Sequence, residues 1–215
     1  MKQYAWIFFD LDGTLTDPGE GITNSVAYAL KKEGIEPPPR EELYTFIGPP
    51  LVDSFMKLYG FSRERALRAV EEYREYFRDR GIFENRVYDG IPRLLEELCA
   101  KGKRLVLATS KPELFAKRIL AHFDLERYFT FAAGALMDET RTKKADVIAY
   151  ALASCGITDP SSVLMVGDRL HDVEGAKACG MDSLGVLYGY GSREELTEAG
   201  ATYLAERVED IGRLA

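Results

Sequence analysis

Apolar residues gather into short runs at five places along the chain: residues 4–9, 105–108, 129–133, 163–166 and 184–187. Runs of this length, closed by polar or turn residues, predict strands buried on both faces. Between the later runs the spacing becomes that of a helix. Phe115, Ile119 and Phe123 share one face of a segment at 112–123, with Pro112 suited to its first turn. Val147, Ile148, Ala151, Leu152 and Cys155 do the same over 145–155, and Val173, Ala176 and Cys179 do so ahead of Gly180, a helix stop. Ser192 and Glu195 have the spacing of a capping box before a short helix that ends at Gly200. Strands alternating with helices predict an α/β fold, a Rossmann-like, doubly wound parallel sheet with helices on both faces.

One region breaks the alternation. Over residues 16–88 no strand pattern is evident. Residues 21–32 are helix-like, Pro37-Pro38-Pro39 is a loop, 40–47 is a short helix and Gly48-Pro49-Pro50 a tight break. Residues 51–59 look helical, and 63–80 form a long helix with Ala66, Val70, Tyr73 and Phe77 as its apolar stripe. Its charges alternate in sign, as on a solvated face. The expected organisation is therefore a sheet domain from residues 1–15 and 89–215, with an all-helical domain inserted at 16–88.

Composition narrows the function. With 46% hydrophobic and 29% charged residues the balance is globular, and 28 Lys and Arg against 35 Asp and Glu give a net charge of −7. Such a chain is poorly suited to bulk nucleic acid or an anionic membrane, so any phosphate it binds should be held locally. Three scattered cysteines, Cys99, Cys155 and Cys179, give neither a disulfide framework nor metal-ligand spacing. No apolar run reaches the ~18 residues of a membrane span, and Asp10 interrupts the first run too early for a signal peptide. The expectation is a cytoplasmic protein with no membrane partner, a monomer or small homo-oligomer.

In open parallel sheets ligands bind beyond the carboxyl ends of the strands. There the sequence places Asp10-Leu11-Asp12-Gly13-Thr14, Thr109-Ser110-Lys111 and Gly167-Asp168-Arg169-Leu170-His171-Asp172. Four aspartates at one edge repel unless a cation lies among them, and a hard divalent ion with oxygen ligands is the economical one. Gly13 permits a sharp turn that lets Asp10 and Asp12 face one pocket. Asp168 and Asp172, four apart, would stack on one face of a helix starting there. Thr109 and the amide of Ser110, read as the start of the next helix, make a phosphate site. Lys144, or its neighbour Lys143, brings one positive charge to the same edge.

This constellation resembles the phosphatase branch of the haloacid dehalogenase superfamily. Asp-Leu-Asp-Gly-Thr-Leu-Thr at 10–16 looks like the first family motif, Thr109 the second, Lys144 the third and Gly167-Asp168-x-x-x-Asp172 the fourth. The order matches, the likeness extends over essentially the whole chain, and Lys144 aligns better than Lys143. The resemblance implies that 16–88 is the cap these enzymes insert. It implies phosphomonoester hydrolysis in which Asp10 attacks phosphorus and Asp12 protonates the leaving oxygen, then activates water. Mg²⁺ would be held by Asp10, the main-chain carbonyl of Asp12 and Asp168, with Asp172 as ligand or support. Thr109, Ser110 and Lys144 would hold the phosphate oxygens.

Within the superfamily the likeness runs to the phosphoglycolate phosphatase group, whose members include enzymes acting on 5′-nucleotides. The substrate class implied is a small phosphorylated metabolite, selected by the cap turn at 46–51. That turn has few positive charges, which disfavours a second phosphate, although Arg40 and Lys57 lie nearby. Asp12 argues against a dehalogenase, which has no leaving alkoxide to protonate. A phosphomutase of the β-phosphoglucomutase type and a non-enzymatic regulator on this scaffold remain the alternatives. His122 and His171 have no assigned role, and Arg169 is either solvated or near the site. Tyr188-Gly189-Tyr190-Gly191 reads as a post-strand loop near the site and not a nucleotide motif.

Overall fold

The computed structural model describes residues 2–138 and 140–215, so residues 1 and 139, both inside the expected core segments, lie outside the description. In chain order its elements are β1 (Trp6–Phe9), β2 (Thr16–Asp17), α1 (Gly19–Lys32), α2 (Arg40–Leu43), α3 (Leu51–Tyr59), α4 (Arg63–Tyr76), β3 (Arg86–Val87), α5 (Ile91–Ala100), β4 (Arg104–Pro112), α6 (Glu113–His122), β5 (Phe129–Ala135), α7 (Lys144–Ser154), β6 (Val163–Gly167), α8 (Leu170–Ala178), β7 (Asp182–Val186), α9 (Arg193–Ala199), β8 (Tyr203–Ala205) and α10 (Val208–Leu214). Two compact units emerge, one built from the chain up to Thr16 and from Val87–Ala215, the other from Asp17–Arg86.

The first unit is a six-stranded parallel sheet in the order β5-β4-β1-β6-β7-β8. The chain builds outward from β1 to β4 and β5, then returns to build β6, β7 and β8 on the other side. The switch point therefore falls at β1 and its two neighbours, the place where such sheets form a crevice. Ile7, Phe8 and Phe9 are all buried, as are all five residues of β6. Successive strand residues point to opposite faces, so this burial requires cover on both. On one face Phe8, Val106 and Met165 pack with Val147, Ile148 and Ala151 of α7 and Ala176 of α8. Removing each large side chain of this kind from water contributes about 1.5–3 kcal/mol.

The second unit is a helical bundle in which α1 and α3 pack on α4. The stripe Ala66, Val70, Tyr73 and Phe77 is buried as its period predicts, and a π-helical turn, Phe77–Gly81, prolongs α4. Phe46, Phe55, Tyr59 and Phe61 form an aromatic cluster, with Phe46 and Phe55 centroids 5.0 Å apart.

Several expectations need correction. The region 16–88 is not strand-free: β2 and β3 pair with each other in a two-stranded sheet, but at two residues each they leave no period to detect. The main sheet gains a sixth strand, β8. The helix expected from Pro112 begins at Glu113, because β4 overruns to Pro112, which is extended (φ −51°, ψ 129°) and pairs with Ala135. Among the described residues no helix is long and apolar enough to cross a membrane.

Candidate active site

The carboxyl ends of β1, β4 and β6 meet at one edge. Parallel register sets Phe9 level with Leu107 and Val166, and the Asp10 amide continues the ladder to the Val166 carbonyl (2.9 Å). Beyond Asp10 the chain turns about the Leu11 carbonyl, which accepts from the amides of Thr14, Leu15 and Thr16. Gly13 sits in this turn at φ +79°, and a Cβ there would lie 2.1 Å from Asp168 Oδ2. The position needs glycine both for its backbone angle and for the closeness of the two strand ends.

Lys144, the first residue of α7, is buried at the centre of the cluster. Its Nζ lies 2.7 Å from Asp10 Oδ1 and 2.8 Å from Asp172 Oδ1, and it donates a hydrogen bond to the Ala108 carbonyl (3.0 Å). Lys143 is exposed and forms the helix N-cap position, so it is Lys144 whose charge reaches the carboxylates. Asp168 is fully buried; its Oδ2 accepts from the Tyr190 amide (2.8 Å) and its Oδ1 from the Thr14 hydroxyl (3.5 Å). Asp172 lies in the first turn of α8, where its Oδ2 accepts from the Arg169 amide (3.1 Å). Since α8 starts at Leu170, Asp168 precedes the helix, and the two aspartates converge from a loop and a turn instead of stacking along one helix face.

Asp10, Asp168 and Asp172 each offer an oxygen within 4.8 Å of the others. Asp10 Oδ1 and Asp172 Oδ1 are buried, and beyond the Lys144 ammonium neither has a hydrogen-bond partner among the described residues. Asp12 is not in this trio: its Oδ2 pairs with Lys111 Nζ at 2.7 Å. When ionised, the four carboxylates exceed the two ammonium groups by two charges. Burial pushes the Asp168 carboxyl well above the usual range, reinforced by Asp172 and Asp10. Burial likewise raises Asp172 to about 6, against the opposing pull of Lys144, and raises Asp12 against Lys111. Burial works against the charge of Lys144, but Asp10 and Asp172 outweigh it and hold the ammonium protonated. A buried all-oxygen donor set that shares a single ammonium, with a deficit of two positive charges, fits a hard divalent cation.

Thr109 is buried at this edge, with Ser110 half-buried beside it. Both belong to β4, so the Ser110 amide is a strand amide three residues ahead of α6 and not part of a helix start. Lys111 carries no role in the sequence reading; its only signal is its place two residues beyond Thr109 at the polar end of β4. The 188–191 loop lies at the site, where its place after a strand puts it. A Cβ on Gly189 would lie 2.4 Å from both Asp168 Cβ and the Gly13 carbonyl oxygen, and the Tyr188 hydroxyl donates to the Thr14 carbonyl (2.9 Å). The loop therefore packs directly on Asp168. Only half of the Ser192–Glu195 capping box forms: Ser192 Oγ accepts from the Glu195 amide (3.1 Å), but the Glu195 carboxylate turns to Arg169 Nε and the Leu170 amide, both 2.8 Å away. Arg169 is thus tied to Glu195, His122 is exposed, and burial with the Arg169 charge depresses the half-buried His171.

Residues 7–186 match the haloacid dehalogenase-like hydrolase family model, and the chain belongs to that family, as one of its phosphatases. Among its relatives, it is 51% identical over 194 residues to a 5′-nucleotidase of Pseudomonas aeruginosa, spanning 90% of this chain and 87% of the relative. It is 43% identical to tyrosine-protein kinase PtkA of Mycobacterium tuberculosis, spanning 91% of this chain and 66% of that protein. In structure it is similar to a crystal structure described as a predicted phosphatase from Clostridium acetobutylicum, with a TM-score of 0.96, 47% identity and coverage of 99% and 98% of the two chains.

Proposed function

We propose that the protein hydrolyses the phosphomonoester of a small phosphorylated metabolite in two steps, with nucleoside 5′-monophosphates as the substrate class. The observation that carries the chemistry is Asp10: a buried carboxylate at the central strand end, beside one ammonium group and two residues from a second carboxylate that has a different partner. Asp10 is the nucleophile, forming an aspartyl-phosphate as the ester oxygen leaves. Asp12 gives that oxygen a proton and then takes one from the water that cleaves the acyl phosphate. Thr109, the Ser110 amide and Lys144 hold the transferring phosphoryl oxygens, where transition-state charge resides. Asp10, Asp168 and Asp172 would hold a divalent cation, with the Asp12 main-chain carbonyl as a further oxygen. When bound, such a cation supplies the positive charge that lets a carboxylate approach an anionic phosphate, and Mg²⁺ suits these ligands. Residues 16–88 act as the cap that selects the substrate.

The 51% identity to a 5′-nucleotidase supports the nucleotide class over phosphoglycolate, for which the phosphatase relative from the same organism is 29% identical. The likeness to PtkA favours a second reading, phosphoryl transfer from ATP to a protein tyrosine. A phosphate-release screen over nucleoside monophosphates, phosphoglycolate and sugar phosphates, ranked by kcat/KM, should place a nucleotide first. Asp10→Asn should abolish release while the fold persists, and EDTA should suppress it with Mg²⁺ restoring it. Unchanged turnover in Asp10→Asn overturns the mechanism. Phosphotyrosine formation from ATP without phosphate release from any ester selects the second reading.

A further inference from the structure

Lys111 is the second buried cation of the site, and its partner is the group assigned to proton transfer. Its side chain is 5% exposed and that of Asp12 12%, with Nζ 2.7 Å from Oδ2. The Thr109 hydroxyl accepts from the Lys111 amide (3.2 Å), tying the backbone at this point. The strand is irregular here, with a register shift against β5 between Ala108 and Pro112, the kind of feature that re-aims a side chain at a sheet edge. The other Asp12 oxygen, Oδ1, is buried and makes no hydrogen bond among the described residues. The two oxygens of one carboxylate are thus in different states: one held, one open.

We infer that Lys111 is a positioning residue for Asp12, pinning Oδ2 so that Oδ1 is the oxygen that hands its proton to the leaving group and then takes one from water. This rests on the assignment of Asp12 as the acid–base group. The ammonium neither gives nor accepts a proton; it removes the rotations of the carboxylate that would turn Oδ1 away. Orientation is worth this much because misplacement by about 1 Å can cost roughly a hundredfold in rate.

The test is a double-mutant cycle of Lys111→Met and Asp12→Asn on two probes, phenyl phosphate, whose leaving group needs a proton, and p-nitrophenyl phosphate, whose leaving group needs it far less. Lys111→Met should lower kcat/KM on phenyl phosphate, which reports the step that expels the leaving group, by about 10–100-fold, part of the roughly 10²–10⁴-fold that general acid–base catalysis supplies, with KM within about twofold. The loss on p-nitrophenyl phosphate should be at least about fivefold smaller, since less protonation is required. In the Asp12→Asn background Lys111→Met should change kcat/KM by less than about twofold, because its route of action is gone. Lys111→Arg, which keeps the charge, should recover much of the loss. If circular dichroism shows Lys111→Met unfolded, the cycle is run with Lys111→Gln. Losses that multiply in the double variant, equal losses of kcat/KM on both probes, or a raised KM with kcat intact overturn the inference. If Asp12→Asn itself leaves the ratio between the probes unchanged, the acid–base assignment falls instead; if Asp12→Asn shifts that ratio and Lys111→Met does not, only the positioning role falls.

Discussion

Gly13 offers a direct measure of how tightly the strand ends are drawn together. Its φ of +79° places an alanine in the left-handed region, at about 1–2 kcal/mol. Reduced freedom of the unfolded chain returns about 0.4–1 kcal/mol, leaving a net loss near 1 kcal/mol from the backbone alone. Gly102, in the same unit, isolates that part: its φ is +76°, and an added Cβ meets nothing within 4 Å. At Gly13 the Cβ would also lie 2.1 Å from Asp168 Oδ2 and 2.5 Å from its Cγ, so the fully buried carboxylate must move. Moving it breaks the hydrogen bond from the Tyr190 amide, worth about 1.5–3 kcal/mol for a charged acceptor. Gly13→Ala should therefore cost about 2.5–4 kcal/mol against about 1 kcal/mol for Gly102→Ala. At roughly 2–4 °C per kcal/mol for a chain of this size, thermal unfolding followed by circular dichroism in EDTA should show drops of about 5–15 °C and about 2–4 °C respectively. Equal drops would refute the claim that Gly13 is needed for the approach to Asp168 as well as for the turn.

The charge deficit of the site makes three further predictions. Mg²⁺ should raise the Tm of the wild type by an amount equivalent to about 2.7 kcal/mol at a hundred times its Kd, and Asp168→Asn should cancel the rise; a Tm indifferent to Mg²⁺ would refute a cation site. The raised pKa of Asp172 means that its contribution to stability is full below the ordinary carboxylate value and is lost as pH climbs through about 6. In cation-free buffer the wild type should thus lose stability relative to Asp172→Asn between about pH 4 and 6 in urea titrations, and parallel curves would contradict it. Lys144→Met leaves Asp10 and Asp172 without their shared cation and should cost about 3–5 kcal/mol by urea denaturation; a loss below about 1 kcal/mol would show the pairing to be incidental.

What the sequence makes legible follows from burial. Residues of β1 and β6 are covered on both faces, so their apolar runs are continuous, and Asp10 and Asp168 stand out as the polar residues that end them. Lys144 was distinguished from Lys143 by family alignment; the helical period alone did not separate them. Where the fold departs from the reading, local signals are absent or ambiguous. β8 is a half-buried edge strand of three residues, and β2 and β3 have two each. Helix α5 is different: Gly90 at its N-cap position, Pro92 in its first turn and the buried Ile91, Leu94, Leu95 and Leu98 at helical spacing make it legible in the sequence. The φ of Pro112, −51°, suits a helix start as well as the strand end it occupies, and only pairing with Ala135 decides between them. In the sequence Lys111 has no role and Glu195 only that of a capping-box residue, because their partners, Asp12 and the start of α8, are brought near by the fold and not by spacing.

The pairing of β2 with β3 has a consequence for chain entropy. Neighbouring strands lie about 4.8 Å apart, so the sheet domain's chain leaves and re-enters at almost one point. The roughly 70 residues from Asp17 to Arg86 fold into a compact unit of their own, and to the rest of the chain they behave as a closure of a few residues. Had they been a flexible loop, closing it would have cost about 3 kcal/mol more than a two-residue link, from the logarithmic dependence on loop length. The insertion can therefore change in length or sequence with little effect on the stability of the sheet that carries the aspartates, provided that the β2–β3 seam is kept.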